Sequence, residues 1–334
     1  MTEEDFRKFY RLGVMKYYDC GGKYECDKAQ QMIQNCGEKY IATWKNDGEF
    51  GRCLVDENHN VTFQSRNISK VTGEYGDKTA SLPHLVEEAA KLPAQTVLLG
   101  ELCFDDFTTT SKDVGSILRC LPQKAIARQA KGPKLKFKVF DCLAANGESY
   151  LNQPYEKRFE VARHLVETYC GGNIVFCRYT FDSFEDYVAD ILRQGGEGIV
   201  IHSKSYIYAP DKRPAWSTLK VKRTTGELEV PVLDTIEPKK AYEGKESATW
   251  QYVIDGECVT KPYFMGWKNG IVVDVGGNRV NVTSGLTDDD REWLASDAAK
   301  QMIENKELWA VISGMELTGS SVRHPRLIRL RTEK

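Results

Sequence analysis

The sequence predicts an α+β fold in two parts, antiparallel sheets with helices through residue 223 and then a small β-barrel over residues 224–334. Three observations lead there. The length of 334 residues suits about two domains of ~150 residues, and the 41% hydrophobic content is ordinary for a globular chain. Strand patterns alternate with amphipathic helices up to Lys222-Arg223. Beyond that point strands dominate, separated by turn signals, and only 287–304 has helical spacing.

Taken in order, residues 3–16 and 26–36 have helical spacing. KYIATWK (39–45) alternates as a strand does and runs into an Asn-Asp-Gly turn. FGRCLVD and VTFQSR continue a meander around the DENHN turn. SLPHLVEEAAKLP reads as a capped helix. TVLLGELCF and LKFKVFDCL are strands, and YEKRFEVARHLVETY and SFEDYVADILRQ are amphipathic helices. The second helix ends at Gly195-Gly196 and feeds the strand GIVIHS. After residue 223 the strands are VPVLDTIEP, YFMGWKNGIVVDV, NRVNVTSG and LWAVISGMELTG. Five or so strands and one helix in this length fit a barrel of the OB type. The connection near 223–228 has no Gly/Ser run, so any hinge there is short.

Composition excludes several classes. The net charge of −2, from 46 basic and 48 acidic residues, does not belong to a disordered polyelectrolyte. No apolar run is long enough to cross a membrane, and MTEEDFRKFYRLG lacks the pattern of an export signal, so the expected location is the cytoplasm. The ten cysteines form no CxxC pair, which argues against a zinc ribbon or a redox motif. The basic charge is segregated: Arg119, Lys124, Arg128, Lys131, Lys134, Lys136 and Lys138 occupy 119–138 without an acid. Two more basic runs lie at 204–223 and in the last twelve residues. Charge runs are usually solvated faces, but three in a near-neutral chain suggest a surface for a polyanion.

Five short segments carry chemistry. Lys45-Asn46-Asp47-Gly48 puts a lysine at a strand end beside a turn, where partial desolvation makes a neutral amine available as a nucleophile. Gly100-Glu101 follows an apolar strand. Phe137-Lys138-Val139-Phe140-Asp141 holds an aromatic residue at alternating spacing. Glu197-Gly198-Ile199-Val200 opens a strand with a carboxylate after a Gly-Gly turn. Lys220 and Lys222, within Trp216–Lys222, aim two cations at one place from one strand face. Alone, each has a bland reading: a turn lysine, a solvated glutamate, a core phenylalanine, a guarded sheet edge.

In this order the five segments resemble the covalent nucleotidyltransferase superfamily of ATP-dependent polynucleotide ligases and messenger-RNA capping enzymes. The ending Val322–Lys334, with Arg323-His324-Pro325-Arg326, and the segment Ser284-Gly285-Leu286-Thr287 resemble ATP-dependent DNA ligases in a compact viral or phage-like form. The resemblance implies a nucleotidyltransferase (ATP-grasp-like adenylation) domain over 1–223 and a C-terminal OB-fold barrel over 224–334. It implies that Lys45 takes up AMP, that Lys220 and Lys222 neutralise the reacting phosphate, and that Asp47 helps place a metal or the nick hydroxyl. Glu101 and Glu197 would hold ribose and Mg²⁺, with Mn²⁺ as a substitute. Phe140 would stack on adenine, with Phe137 as an alternative, and Thr43 stands where an acid often reads the adenine amino group. Arg331 and Lys334 would grip the leaving phosphates, and Ser65-Arg66 would contact the DNA backbone. The family's arginine five residues after the lysine is Phe50 here, which leaves Arg52 as the nearest candidate for nucleotide or DNA contact. A lysine common after the Glu197 motif is replaced by His202-Ser203.

The implied activity is ATP-dependent sealing of nicks in duplex DNA by a monomer, with no membrane partner. Within the same chemistry the alternatives are a GTP-dependent capping guanylyltransferase and an RNA ligase. In another class stands a non-catalytic nick-binding protein. Residues 239–262 exceed a barrel hairpin and carry Lys239, Lys240 and Lys245, which suggests a DNA-contacting insertion.

Overall fold

A computed structural model describes residues 1–18, 27–69, 72–106, 109–222, 226–244, 250–314, 316–318 and 321–332. The chain divides into two compact units, Met1–Lys222 and Arg223–Lys334.

In the first unit, α1 (Glu3–Arg7) is capped by the Thr2 hydroxyl and carries three acids in its first turn, where they suit the helix dipole. Helical spacing predicts a helix to residue 16, but the backbone turns extended at Leu12. The Phe9 and Leu12 carbonyls, which a longer helix would use, instead accept from the Arg52 guanidinium at 2.6 and 2.5 Å. Next come α2 (Asp27–Gln34), β1 (Tyr40–Lys45) and a meander of β2 (Glu49–Val55), β3 (Val61–Ile68) and β4 (Tyr75–Asp77). Helix α3 (Pro83–Ala89) opens on proline and precedes β5 (Thr96–Cys103). Two helices that sequence reading did not assign then follow: α4 (Ser111–Leu118), ahead of the basic run, and α5 (Pro122–Lys131), within it. The signals for both are local. Thr110 and Asp113 form a reciprocal capping box, and Pro122 stands in the first turn of α5. The unit ends with β6 (Lys136–Ala145), β7 (Glu148–Ser149), α6 (Tyr155–Tyr169), β8 (Ile174–Phe176), β9 (Tyr179–Thr180), α7 (Phe184–Arg193), β10 (Gly198–Ser203) and β11 (Thr218–Lys222).

These strands make two sheets. The larger runs β4-β3-β2-β5-β6-β7, with β8 parallel to β6; the smaller runs β11-β10-β1-β9. The period of two decides the faces of the small sheet. Ala42, Trp44, Ile199, Ile201, Leu219 and Val221 turn back against α2 and α7, joining Ala29, Met32, Phe184 and Ile191 in a buried cluster. The residues between them, including Lys45, Lys220 and Lys222, therefore share the front. Ile41 of that front packs with Phe50, Leu54, Leu99 and Leu143 of the large sheet. The other face of the large sheet buries Cys53, Phe63, Leu98, Leu102 and Phe137 beneath α3 and α6.

The second unit carries β12 (Leu228–Ile236), β13 (Val253–Ile254), β14 (Glu257–Cys258), α8 (Lys261–Phe264), β15 (Gly270–Val275) and β16 (Asn278–Val282). It continues with α9 (Asp288–Trp293), α10 (Asp297–Glu304), β17 (Leu308–Ser313), β18 (Glu316–Thr318), β19 (Ser321–Arg323) and β20 (Arg326–Thr332). The sheet order β16-β15-β12-β17-β20 curls until a parallel bridge between Ser284 and Arg326 joins its two ends, with the Leu327 N–H on the Ser284 carbonyl at 2.8 Å. That contact closes the barrel around Val230, Val232, Ile271, Val273, Leu308 and Ile312. The helical stretch predicted at 287–304 is two helices, because Ser296 caps α10 anew. YFMGW, read as the start of a strand, is instead the α8 turn: Thr260 caps it and Pro262 opens it.

Candidate active site

Lys45 ends β1, and its place is set by register. It lies opposite Gly198 on β10, and Gly198 lies opposite Lys222 on β11. One step along, Thr43, Val200 and Lys220 form the next row. Side chains directly across antiparallel strands share a face, and strands lie ~4.8 Å apart. Three lysines thus stand on the front of the small sheet, and the middle position of the Lys45 row has no side chain. Gly198 is required there: its φ is +142° and a Cβ would come 2.1 Å from the Val221 carbonyl oxygen. The glycine thus lets β10 pass close against the β11 backbone between Lys45 and Lys222. Glu197, one residue earlier, reaches back so that its Oε2 lies 2.5 Å from the Lys45 Nζ. Both side chains are mostly enclosed, at 21% and 10% exposure.

The turn after Lys45 is held from two sides. The Ser111 N–H, at the start of α4, donates to the Asp47 carboxylate at 3.2 Å. Gly48 passes so close to β5 that a Cβ would meet the Leu102 carbonyl oxygen at 2.3 Å.

The large sheet presents a second row, Arg66, Phe50, Glu101 and Lys138, on neighbouring strands. Arg66 extends over the Phe50 ring, 5.2 Å from its centroid. Burial pushes the Glu101 carboxyl up to about 7; Lys45 and Arg66 pull it down, and Glu197 and Asp47 push it further up. The five groups are therefore within electrostatic reach of one another. Lys138 is buried, paired with Asp105 at 3.1 Å and lying 4.2 Å over the Trp44 ring.

A ring cluster adjoins the lysines. Leu99 pairs with Asp141 and Gly100 with Val139, so Phe140 is an extra residue on β6, a bulge. Bulges re-aim side chains, and Phe140 lies partly buried at the edge of the core while Phe137 lies fully buried, edge-on to Phe63 at 5.3 Å. Phe137 is thus not available to a base. The Tyr17 ring stands edge-on to Phe140 (5.9 Å) and to His202 (5.2 Å), and Tyr155 stacks on His202 at 4.4 Å. The His202 Nε2 is 3.0 Å from the Thr43 hydroxyl. Burial and the nearby Arg158 charge lower the His202 pKa to about 3, so the ring is neutral. Behind these rings Arg158 and Asp141 form a buried bidentate pair at 2.9 and 3.1 Å. Tyr17, Tyr155 and His202 were not singled out as site residues from sequence. Only the bulge and the return of residues 13–18 beside β11, where the Lys220 N–H donates to the Tyr18 carbonyl, bring them together.

Other candidates lie elsewhere. Arg52 is a correction: 1% exposed, it binds the Phe9 and Leu12 carbonyls and Gln64 and lies 4.9 Å over the Tyr75 ring. It fastens the amino-terminal segment to the sheet and faces no substrate. Ser65 turns to the side opposite Arg66, with its hydroxyl against Gly76. In the second unit Arg331 pairs with Glu229 at 2.8 Å, Lys240 pairs with Glu257 at 2.9 Å, and Lys239 is exposed. Lys245 and Lys334 lie outside the described residues. Among the described residues no group of three or more His, Cys, Asp or Glu is arranged to hold a metal ion.

A family model described as "ATP dependent DNA ligase domain" matches residues 24–222. The DNA ligase of Methanothrix thermoacetophila is 26% identical in an alignment covering 100% of this chain and 63% of that protein. DNA ligase 1 of Dictyostelium discoideum is 26% identical over 66% of this chain and 19% of its own length. The chain spans less than two thirds of either relative. A structure from a study of Lig E DNA ligases superposes with a TM-score of 0.62 at 18% identity, covering 96% of this chain and 98% of that one. The ligase domain of M. tuberculosis LigD gives a TM-score of 0.51 at 17% identity, covering 97% and 96%. The shared fold is a nucleotidyltransferase domain followed by an OB barrel.

Proposed function

This chain belongs to the ATP-dependent DNA ligase domain family, and on that premise we propose that it seals nicks in duplex DNA, using ATP, through AMP bound covalently to Lys45. The observation that carries the reading is the Lys45 row: an amine against Glu197, with Lys222 across Gly198 on the same sheet face. In-line displacement at phosphorus needs positioning and charge neutralisation more than acid–base chemistry. Lys45, once neutral, attacks the α-phosphorus as pyrophosphate leaves, and Glu197 is placed to take the amine's proton. Lys220 and Lys222 neutralise the equatorial oxygens. Lys45 then gives up AMP to the 5′-phosphate at the nick, and the adjoining 3′-hydroxyl displaces AMP. Phe140, Tyr17 and the Thr43–His202 pair form the base side of the site.

The donor set fits a hard divalent cation held mainly by phosphate and water, since Mg²⁺ commonly takes only one or two protein carboxylates. Glu101 and Glu197 would hold it, and the burial that raises the Glu101 carboxyl is the cost a cation would offset. Such an ion would supply charge stabilisation at the phosphates. Arg66 and the basic insertion at 239–262 would contact the duplex, and the protein would act as a monomer. Among the described residues no helix is long and apolar enough to cross a membrane.

Incubation with α-labelled ATP or GTP, then denaturing electrophoresis, tests the reading. ATP label on the wild type, and none on Lys45→Ala or Lys45→Arg, is expected, because guanidinium stays protonated and cannot attack. Label from GTP alone means capping chemistry, and no label means a binding protein.

A further inference from the structure

The basic run at 119–138 was the strongest charge signal in the sequence, and the site described above uses only Lys138 of it. The structure gives the run a shape. Helix α5 buries Ala125 and Gln129 on its inner face. Gln129 ties that face down, donating to the Ser81 carbonyl at 2.9 Å and accepting from the Leu135 N–H at 3.2 Å. Lys124, Arg128 and Lys131 follow at i, i+4 and i+7, one stripe along a single flank, and all three are exposed. Ile126, Ala127 and Ala130 occupy the other flank. Lys134 continues the positive charge beyond the helix end, also exposed. Among the described residues none of Lys124, Lys131 and Lys134 pairs with a carboxylate, whereas the neighbouring Arg119 and Lys136 pair with Glu49 and Asp105. Arg128 donates to the Ser116 carbonyl, which steadies its guanidinium without neutralising it.

Position adds to charge. The rail is joined to the loop that carries Lys45. The preceding helix α4 donates its Ser111 N–H to Asp47, and Arg119, at its end, holds Glu49 at 2.8 Å.

We propose that the Lys124–Arg128–Lys131 flank of α5 is a phosphate rail for duplex DNA, holding the backbone beside the nick. The proposal rests on the nick-sealing reading for its choice of DNA as the polyanion. The stripe is ~10 Å long at 1.5 Å per residue, which matches about three phosphates of one strand at ~3.4 Å each along the duplex axis. No base-reading group accompanies it, so it binds without regard to sequence.

The test uses the full chain and a nicked duplex lacking the 5′-phosphate, in EDTA, so that binding is measured without chemistry. Affinity is taken at several salt concentrations for wild type, for Lys124→Ala/Arg128→Ala/Lys131→Ala, and for Lys124→Glu/Lys131→Glu, which spares the Arg128 bond. Each lost phosphate contact should flatten the log affinity against log salt by ~0.9, so the triple variant should lose about 2.7 of slope. The charge-reversal pair should lose at least as much affinity at low salt. Label uptake from ATP should stay at the wild-type level in both. Unchanged affinity and slope overturn the rail, as does a loss of ATP labelling that parallels the loss of binding. If the wild type takes no label but binds duplex with the steep slope that the variants lose, the rail stands and the ligase reading fails.

Discussion

Glu101 sits partly buried between cations and carboxylates, and its raised pKa makes a signed prediction. Below about pH 4.5 the group is protonated in folded and unfolded chains alike and contributes nothing. As pH rises toward 7 the unfolded chain ionises first, so stability falls, and above about 7 the cost is complete. Its upper limit is about 3 kcal/mol. Glu101→Gln removes that cost. Denaturant unfolding should show the variant gaining on wild type between pH 4.5 and 8, while its ATP labelling drops. A stability difference that stays flat with pH would contradict the burial argument. Among single residues, legibility divides by chemistry. Lys45 and Glu197 were singled out through the resemblance of their short segments, whereas for Lys220 and Lys222 period two alone fixes the shared face. Arg52 was misread. An arginine near the lysine motif looks the same in sequence whether it meets a phosphate or two backbone carbonyls.

At the scale of elements, the described residues of the insertion at 239–262, namely 239–244 and 250–262, carry secondary structure of their own. Asp255-Gly256, with φ of 51° and 81°, turns the β13–β14 hairpin as a type I′ pair does. Tyr242 stacks on Trp250 at 3.7 Å, and Trp250 donates to the Val259 carbonyl. The α8 turn that follows leaves Tyr263, Phe264 and Met265 exposed beside Lys261. Replacing 239–262 by a short turn should weaken nick binding several-fold and leave ATP labelling near the wild-type level. Equal affinity at matched salt would show the insertion to be a surface loop without a DNA role. The helices α4 and α5 show a different limit of sequence reading. Their starts are explicit at Thr110, Asp113 and Pro122, but the strong charge pattern over 119–138 masks α5, whose buried face is only Ala125 and the polar Gln129.

At the scale of the whole molecule, the prediction concerns Arg331, which pairs with Glu229 within the second unit. If it serves the leaving pyrophosphate, the second unit must reach the Lys45 site for the first step and withdraw for the nick. Arg331→Ala with Lys334→Ala should then suppress ATP labelling strongly yet still seal a nick that already carries 5′-AMP. Equal loss of both activities in folded protein sinks this division of labour. Truncation after Pro325 is a poor substitute, because it deletes β20, whose pairing with β17 and bridge to Ser284 close the barrel. By itself the sequence determined the α+β class and the strand-rich second unit, since these follow from local period, caps and turns; the lysines and glutamates stood out in it only through the resemblance of their short segments, and strand register makes them neighbours. Tertiary structure alone decided which phenylalanine lies at the edge of the core, because the bulge at Phe140 is a property of the β5–β6 pairing. It also brought Tyr17 to His202 and buried Arg52 under the amino-terminal segment. Those contacts join residues far apart in sequence, and no local pattern records the carbonyls and rings that wait at the other end.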